Sequence, residues 1–377
     1  MNISRRQFIA AISSLLLQKY SFGNNQLPTY KTLVLIELQG GNDGLNTVVP
    51  LSNPLYQKYR PTLALSPDKT IEINTMTGLH GSLTPLLPTW LAGDLAIVQG
   101  VGYEKPNRSH FRSVDIWASA SEAEIVKRSG WLNDALADTL TKNQLAAIMF
   151  GGRDKAVRGG AINVLSINRL DDIRNAKLGT YAGETSDASE WLQRVAELTL
   201  NFKSELPHYL NSNKTEYPIG KFADQIRESV GLIQNNQAPP VIGVHINGFD
   251  THANQAVRHS ELLTLLANSI VAMREDLIHS GHWNDTLIMT VSEFGRRVLE
   301  NGSAGTDHGT AAPVFLFGGR VNGGLHGAAP DLGALQNDDL VHSVDFRSVY
   351  ASVIDQWFGI ATSNLNHRRF KKLHLIS

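Results

Sequence analysis

The side chains best suited to chemistry in this sequence are acids and imidazoles at the ends of apolar runs. Leu33–Leu38 leads into Gly40-Gly41-Asn42-Asp43-Gly44, Val241–Ile246 into Asp250-Thr251-His252, and Thr286–Val291 into Ser292-Glu293. A glycine-containing loop then delivers Asp307-His308 ahead of a further apolar run, Pro313–Phe317. Open α/β sheets place their chemistry just past the carboxyl ends of their strands. The three strand ends therefore read as parts of one active site, and Asp43, Asp250, Glu293 and His308 are expected to gather at one sheet edge although they are far apart in the chain.

The elements that must position them alternate along the chain. Strands are expected at Thr32–Leu38, Leu95–Val101, Leu145–Phe150, Val241–Ile246, Thr286–Val291 and Val314–Phe317, mostly continuous apolar runs of the kind buried on both faces of a mainly parallel sheet. Helical patterns lie between them at Leu83–Ala92, Ser109–Ala120, Glu190–Phe202, Phe222–Gln234, Ala253–Ser280 and Asp345–Phe358. The expected fold is an α/β sandwich around a central sheet. The more polar stretch Leu178–Tyr217 reads as a helical insertion or cap.

The amino-terminal segment Ser4-Arg5-Arg6-Gln7-Phe8-Ile9 carries paired arginines before a short apolar stretch. Together they form the layout of a twin-arginine export signal, expected over residues 1–25 and cut near Gly23–Gln26, with residues 26–377 as a single domain. The twin-arginine translocase is then a transient partner and the destination is periplasmic or extracellular. The apolar stretch is too short for a membrane span, which needs about 20 residues, so no stable span is expected after cleavage. Of the 377 residues 42% are hydrophobic and the formal net charge is −1, which gives no basic field for nucleic acid. There are no cysteines, which excludes disulfides, thiolate metal sites and a cysteine nucleophile. Any metal must be held by histidine, carboxylate or hydroxyl oxygen.

The ordered set SRRQFI, LQGGNDGLNTVVP, LHGSLTPLLP, NRSHFRSVDIWASA, GFDTHANQ, SEFGR, GTDHG and DFRSVYASVI resembles the bacterial domain of unknown function 1501 family over nearly the whole chain. That family is similar in turn to the alkaline phosphatase and sulfatase superfamily. The resemblance implies a three-layer α/β/α sandwich whose site binds one or two divalent metals beside a hydroxyl or formylglycine nucleophile. It implies Asp43, Asp250, His252, Glu293 and His308 as metal ligands and Ser109 as nucleophile. Two departures stand out: the aspartate-histidine pair is spaced D-x-H rather than D-x-x-x-H, and Phe294 stands where a histidine usually follows the acid. A formylglycine is disfavoured, because Phe111 and Ser113 occupy the positions where that modification needs proline and arginine.

Carboxylates with imidazoles suit zinc or manganese, with magnesium or calcium as alternatives, and the five implied ligands are enough for one site. The substrate class implied is a small anionic ester, a phosphate, sulfate or relative. Asp307, His110, Arg112 and Arg296 are candidates to support the ligands or hold the anion. Each residue also has a plainer role open to it. Asp43 suits a turn, Ser109 a helix cap, and Glu293 a salt bridge to Arg296 or Arg297; His259, His279 and His282 are expected at the surface. The enzyme reading thus stands beside a non-catalytic one, in which the altered motifs leave a fold used for binding or assembly in the cell envelope.

Overall fold

The computed structural model describes residues 31–140, 144–152, 154–170, 172, 215–361 and 370–377. The export-signal segment, the expected helix Glu190–Phe202 and nearly all of the expected insertion lie outside them.

Strand β1 (Thr32–Gln39) shows why a sandwich forms. Its Leu33 and Leu35 enter one apolar core while Val34, Ile36 and Leu38 enter another, as the two-residue period of a pleated strand requires. A strand apolar on both faces must be covered on both sides. Four helices supply most of the cover: α1 (His110–Ser119), α2 (Lys221–Gln234), α3 (Gln255–His279) and α4 (Phe346–Ser352). Ile116 and Trp117 of α1 and Val349 and Tyr350 of α4 pack with Leu33 and Leu35. Ile226 and Val230 of α2 and Leu263 and Ile270 of α3 pack with Val34 and Ile36. Each such buried side chain contributes roughly 1.5–3 kcal/mol of transfer free energy.

The remaining strands are β2 (Val48–Val49), β3 (Thr70–Glu72), β4 (Gly78–His80), β5 (Leu95–Gly102), β6 (Leu145–Phe150), β7 (Asn163–Ile167), β8 (Val241–Asn247), β9 (Thr286–Val291), β10 (Ala312–Phe317), β11 (Gly324–His326) and β12 (Val344–Asp345). The short β2, β3 and β4 form a separate antiparallel sheet. The main sheet has the order β11-β5-β10-β9-β1-β8-β6-β7, with β12 beside β5. Among the described residues of this sheet only β10 runs against its neighbours, and the other pairings are parallel. Glu37 of β1 stands opposite both His245 of β8 and Val291 of β9, so these three strands deliver their following loops side by side. Because β10 is reversed, its amino end, preceded by Asp307-His308, reaches the same edge. Topology thus gathers segments that are more than 200 residues apart in sequence.

All six expected strands are present, with ends that differ by two residues or fewer. The missed strands are the short ones and β7, whose residues are only partly buried and lack a continuous apolar run. The expected helix Leu83–Ala92 is instead a 3₁₀ segment, Gly81–Leu86, joined to a short α-helix, Leu87–Leu91. Pro85 and Pro88 explain the break, since neither can donate a helical backbone hydrogen bond. The expected helix over Asp345–Phe358 passes from α4 into a π turn, Val353–Trp357.

Candidate metal centre

The loop after β1 is shaped by glycine. Gly40 and Gly41 have φ of 113° and 84°, and a side chain at either would overlap the Asp250 backbone or the Phe294 ring. Only glycine lets this backbone lie against the loop after β8. Asp250, one turn past β8, meets imidazoles from three directions. Its Oδ1 lies 3.0 Å from His252 Nε2 and 3.2 Å from His308 Nε2, and its Oδ2 lies 3.5 Å from His110 Nε2. The two Nε2 atoms of His252 and His308 are 2.9 Å apart.

The other ring nitrogens decide what this convergence means. His308 Nδ1 lies 2.8 Å from the Arg108 carbonyl oxygen, which can only accept, so that nitrogen carries the proton. His252 Nδ1 is 3.0 Å from Asp307 Oδ1, and His110 Nδ1 is 2.9 Å from Glu293 Oε1. Each Nδ1 thus faces an acceptor that can hold its N–H, and in that tautomer of the neutral imidazole each Nε2 turns a lone pair toward Asp250. Lone pairs packed this closely repel unless a cation or added protons lie among them. Ligand atoms around one ion at bond lengths of about 2.0–2.2 Å are themselves about 2.9–3.5 Å apart, which the His252, His308 and Asp250 triangle matches. His110, Asp250 and His308 also offer ligand atoms all within 4.8 Å of one another. Imidazoles oriented through their far nitrogens by carboxylates or carbonyls are the usual support of metal-binding histidines. The donor set fits a divalent ion.

The electrostatics agree. Burial alone would raise the pKa of Asp250, but hydrogen bonding and charge from Arg296 outweigh it and hold the carboxyl below its ordinary value. Burial lowers the pKa of His308, which favours its neutral form. His110 is shifted up, chiefly by its hydrogen bond to Glu293. An ionised carboxylate and a neutral imidazole are the states a metal requires, and the upward shift of His110 makes its proton a competitor for the ion.

The remaining candidates separate. Glu293, expected as a ligand, has Oε1 2.9 Å from the Gly40 N–H and 2.9 Å from His110 Nδ1, a placement that can orient the His110 ring. Asp307 orients His252 in the same way. Asp43 is fully buried and forms a 2.6 Å ion pair with Arg60, while Gln255 donates to the same oxygen. Its hydrogen-bonding partners are these groups rather than the imidazoles, although its Oδ1 is buried without a partner. Arg112 donates to the carbonyls of Glu122, Ala123 and Ile125. Arg296 is buried and braces the loops around Asp250. Ser109 is exposed at the start of α1, and its hydroxyl makes no capping bond. Sequence reasoning ranked His110 only as an accessory and missed the Arg108 carbonyl, which has no side-chain signature.

His259 corrects another expectation. It lies one turn after Gln255 on the buried stripe of α3 and is 1% exposed, with Nε2 3.0 Å from Asn42 Oδ1. Burial pushes its pKa down from 6.5 to about 4. A lowered folded-state pKa stabilises the protein above the unfolded value, and that stability is lost as pH falls through the folded one. About 3 kcal/mol should therefore disappear between roughly pH 6.5 and 4. Urea midpoints measured across this window should fall in the wild type and fall less in His259→Gln; equal slopes would remove the assignment.

Residues 128–355 match the model of DUF1501, described as a protein of unknown function. No curated protein matches the chain in sequence. Among solved structures, Ps i-CgsB aligns at 10% identity and a TM-score of 0.44, covering 91% of this chain and 75% of its own. The lipoteichoic acid synthase LtaP from Listeria monocytogenes aligns at 11% and 0.38, covering 88% and 73%. A protein of the alkaline phosphatase superfamily from Vibrio parahaemolyticus aligns at 11% and 0.33, covering 86% and 71%. None of these three reaches a TM-score of 0.5, so the chemistry of the site is taken from its own geometry. The matched segment contains Asp250, His252, Glu293, Arg296, Asp307 and His308, and the chain belongs to the DUF1501 family.

Proposed function

We propose that the protein is an exported, metal-dependent hydrolase or transferase acting on phosphate, sulfate or related anionic esters. The observation that carries the reading is the convergence of three Nε2 atoms on the Asp250 carboxylate, each ring held by an acceptor at its other nitrogen. His110, Asp250, His252 and His308 would hold the ion, with zinc or manganese best suited to such donors. A divalent ion there supplies Lewis acidity, polarising an ester oxygen.

The protein's own groups would then divide the work. Ser109 presents an uncapped hydroxyl at the start of the ten-residue α1, where backbone N–H groups and the helix dipole favour an anion. Its oxygen would attack the phosphorus or sulfur, and the ester's alcohol would leave with the proton. Water or a second hydroxyl would take up the transferred group. Glu293, Asp307 and the Arg108 carbonyl keep the rings aligned throughout. Ser109→Ala should retain metal but lose at least about 100-fold in turnover of aryl phosphate or sulfate esters, because nucleophilic catalysis needs the hydroxyl while the ligand set does not. Unchanged turnover in that variant would exclude Ser109 as nucleophile.

Export rests on Arg5 and Arg6 before the short apolar stretch. Among the described residues no helix is long and apolar enough to cross a membrane. Replacing both arginines with lysine should leave the protein in the cytoplasm. Fractionation showing the same periplasmic yield as wild type would remove the export proposal.

A further inference from the structure

Arg296 is the most heavily committed cation near the site, and most of its partners are oxygens. The side chain is 0% exposed. Its Nε donates to the Gly41 carbonyl at 2.8 Å and its Nη1 to the Thr306 carbonyl at 2.9 Å. Three oxygens converge on Nη2: the Gly40 carbonyl, the Phe249 carbonyl at 3.1 Å and Asp250 Oδ1 at 2.5 Å. Nη1 also lies 3.5 Å from His252 Nε2. The guanidinium therefore fills a buried seat lined mainly by oxygens, built from the loops after β1 and β8 and before β10, and it shares Asp250 Oδ1 with the triangle of His252 and His308.

Such a seat suits a hard cation. Backbone carbonyls and a shared carboxylate are the ligands that magnesium, manganese or calcium select, and a carboxylate oxygen common to two positions would bring two ions close together. A buried guanidinium bonded to five oxygens satisfies the same acceptors with a charge that cannot dissociate or deprotonate. We propose that Arg296 is the resident cation of this site: it occupies the place of a second metal ion, limits the centre to one divalent ion, and positions Asp250 for that ion. The inference rests on the metal-dependent reading above. Arg296 acts through Asp250 and the loops, which makes it a positioning residue.

The test is manganese binding followed by titration and by electron paramagnetic resonance. Wild-type protein should take up one Mn²⁺ per chain and show the spectrum of an isolated ion. Arg296→Ala vacates the seat and should take up two, with the broadened spectrum of coupled ions, and millimolar guanidinium should displace the second ion while urea does not. Arg296→Met fills the seat without charge and should return to one. If Arg296→Ala is unfolded as purified, refolding with Mn²⁺ or guanidinium should recover it; failure of both overturns the proposal. A folded Arg296→Ala chain that binds one ion, or a wild-type chain that binds two, also overturns it. A wild-type chain that binds none contradicts the metal-dependent reading itself and is distinguishable from these outcomes.

Discussion

Replacing Arg60 with methionine should cost about 3–5 kcal/mol, the loss expected when one partner of a buried ion pair is removed. Neither Arg60 nor Asp43 has an exposed side chain. Arg60 donates to Asp43, to Asn46 Oδ1 at 2.8 Å, and to the carbonyls of Val298 and Arg297 at 2.9 and 2.8 Å. Methionine would fill much of the volume but leave the Asp43 carboxylate buried with Gln255 as its remaining donor. Burial would raise the pKa of Asp43, yet the charge and hydrogen bonds of Arg60 outweigh it and hold the carboxyl below its ordinary value. The pair therefore stabilises the fold above the ordinary carboxylate pKa, and that contribution is lost as pH falls below it. Urea denaturation at pH 7 should show the full loss in Arg60→Met and a smaller one in the double variant with Asp43→Asn, which removes the stranded charge. A loss below about 1 kcal/mol in the single variant would show that the pair is not integral to the fold.

The second large effect is expected from His308→Ala. His308 brings one of the three converging Nε2 atoms, and its Nδ1 ties the site to the Arg108 loop that leads into α1. Disturbing groups outside a coordination shell already costs about 10–100-fold in metal affinity, so deleting a ligand should cost at least about 100-fold. Turnover should disappear with the metal. The side chain is 25% exposed, so the fold itself should tolerate the change, and circular dichroism should match the wild type. Competition with a chromophoric chelator gives the affinity directly. A variant with wild-type affinity would remove His308 from the ligand set.

What the sequence showed depended on the length scale of each signal. Long apolar runs such as Thr286–Val291 revealed the central strands because burial on both faces leaves no polar position. The strand ends pointed to Asp250, His252 and His308, since topology places chemistry there in open sheets. Side-chain partnership was less legible. Glu293 stands at a strand end like a ligand, but its partner is set by α1, which presents His110 to it from 183 residues away in sequence. Asp43 looked like a ligand or a turn residue because Arg60, in a separate loop, carries no local mark of its pairing. His259 carries no local mark of its burial: Gln255, His259 and Leu263 share one stripe of α3, and the polar pair at its start is covered by the loop after β1. The Arg108 carbonyl was invisible in principle, since backbone acceptors have no residue type.

The measurement that bears most directly on the central claim is the elemental analysis of mature protein purified after supplementation with zinc and manganese and then dialysed. Three imidazoles and a carboxylate turned toward one another predict about one tightly held divalent ion per chain, lost in His308→Ala and retained in Ser109→Ala. Wild-type protein that is folded yet retains no divalent ion, with both variants indistinguishable from it, would contradict the metal centre and favour a fold that serves binding or assembly.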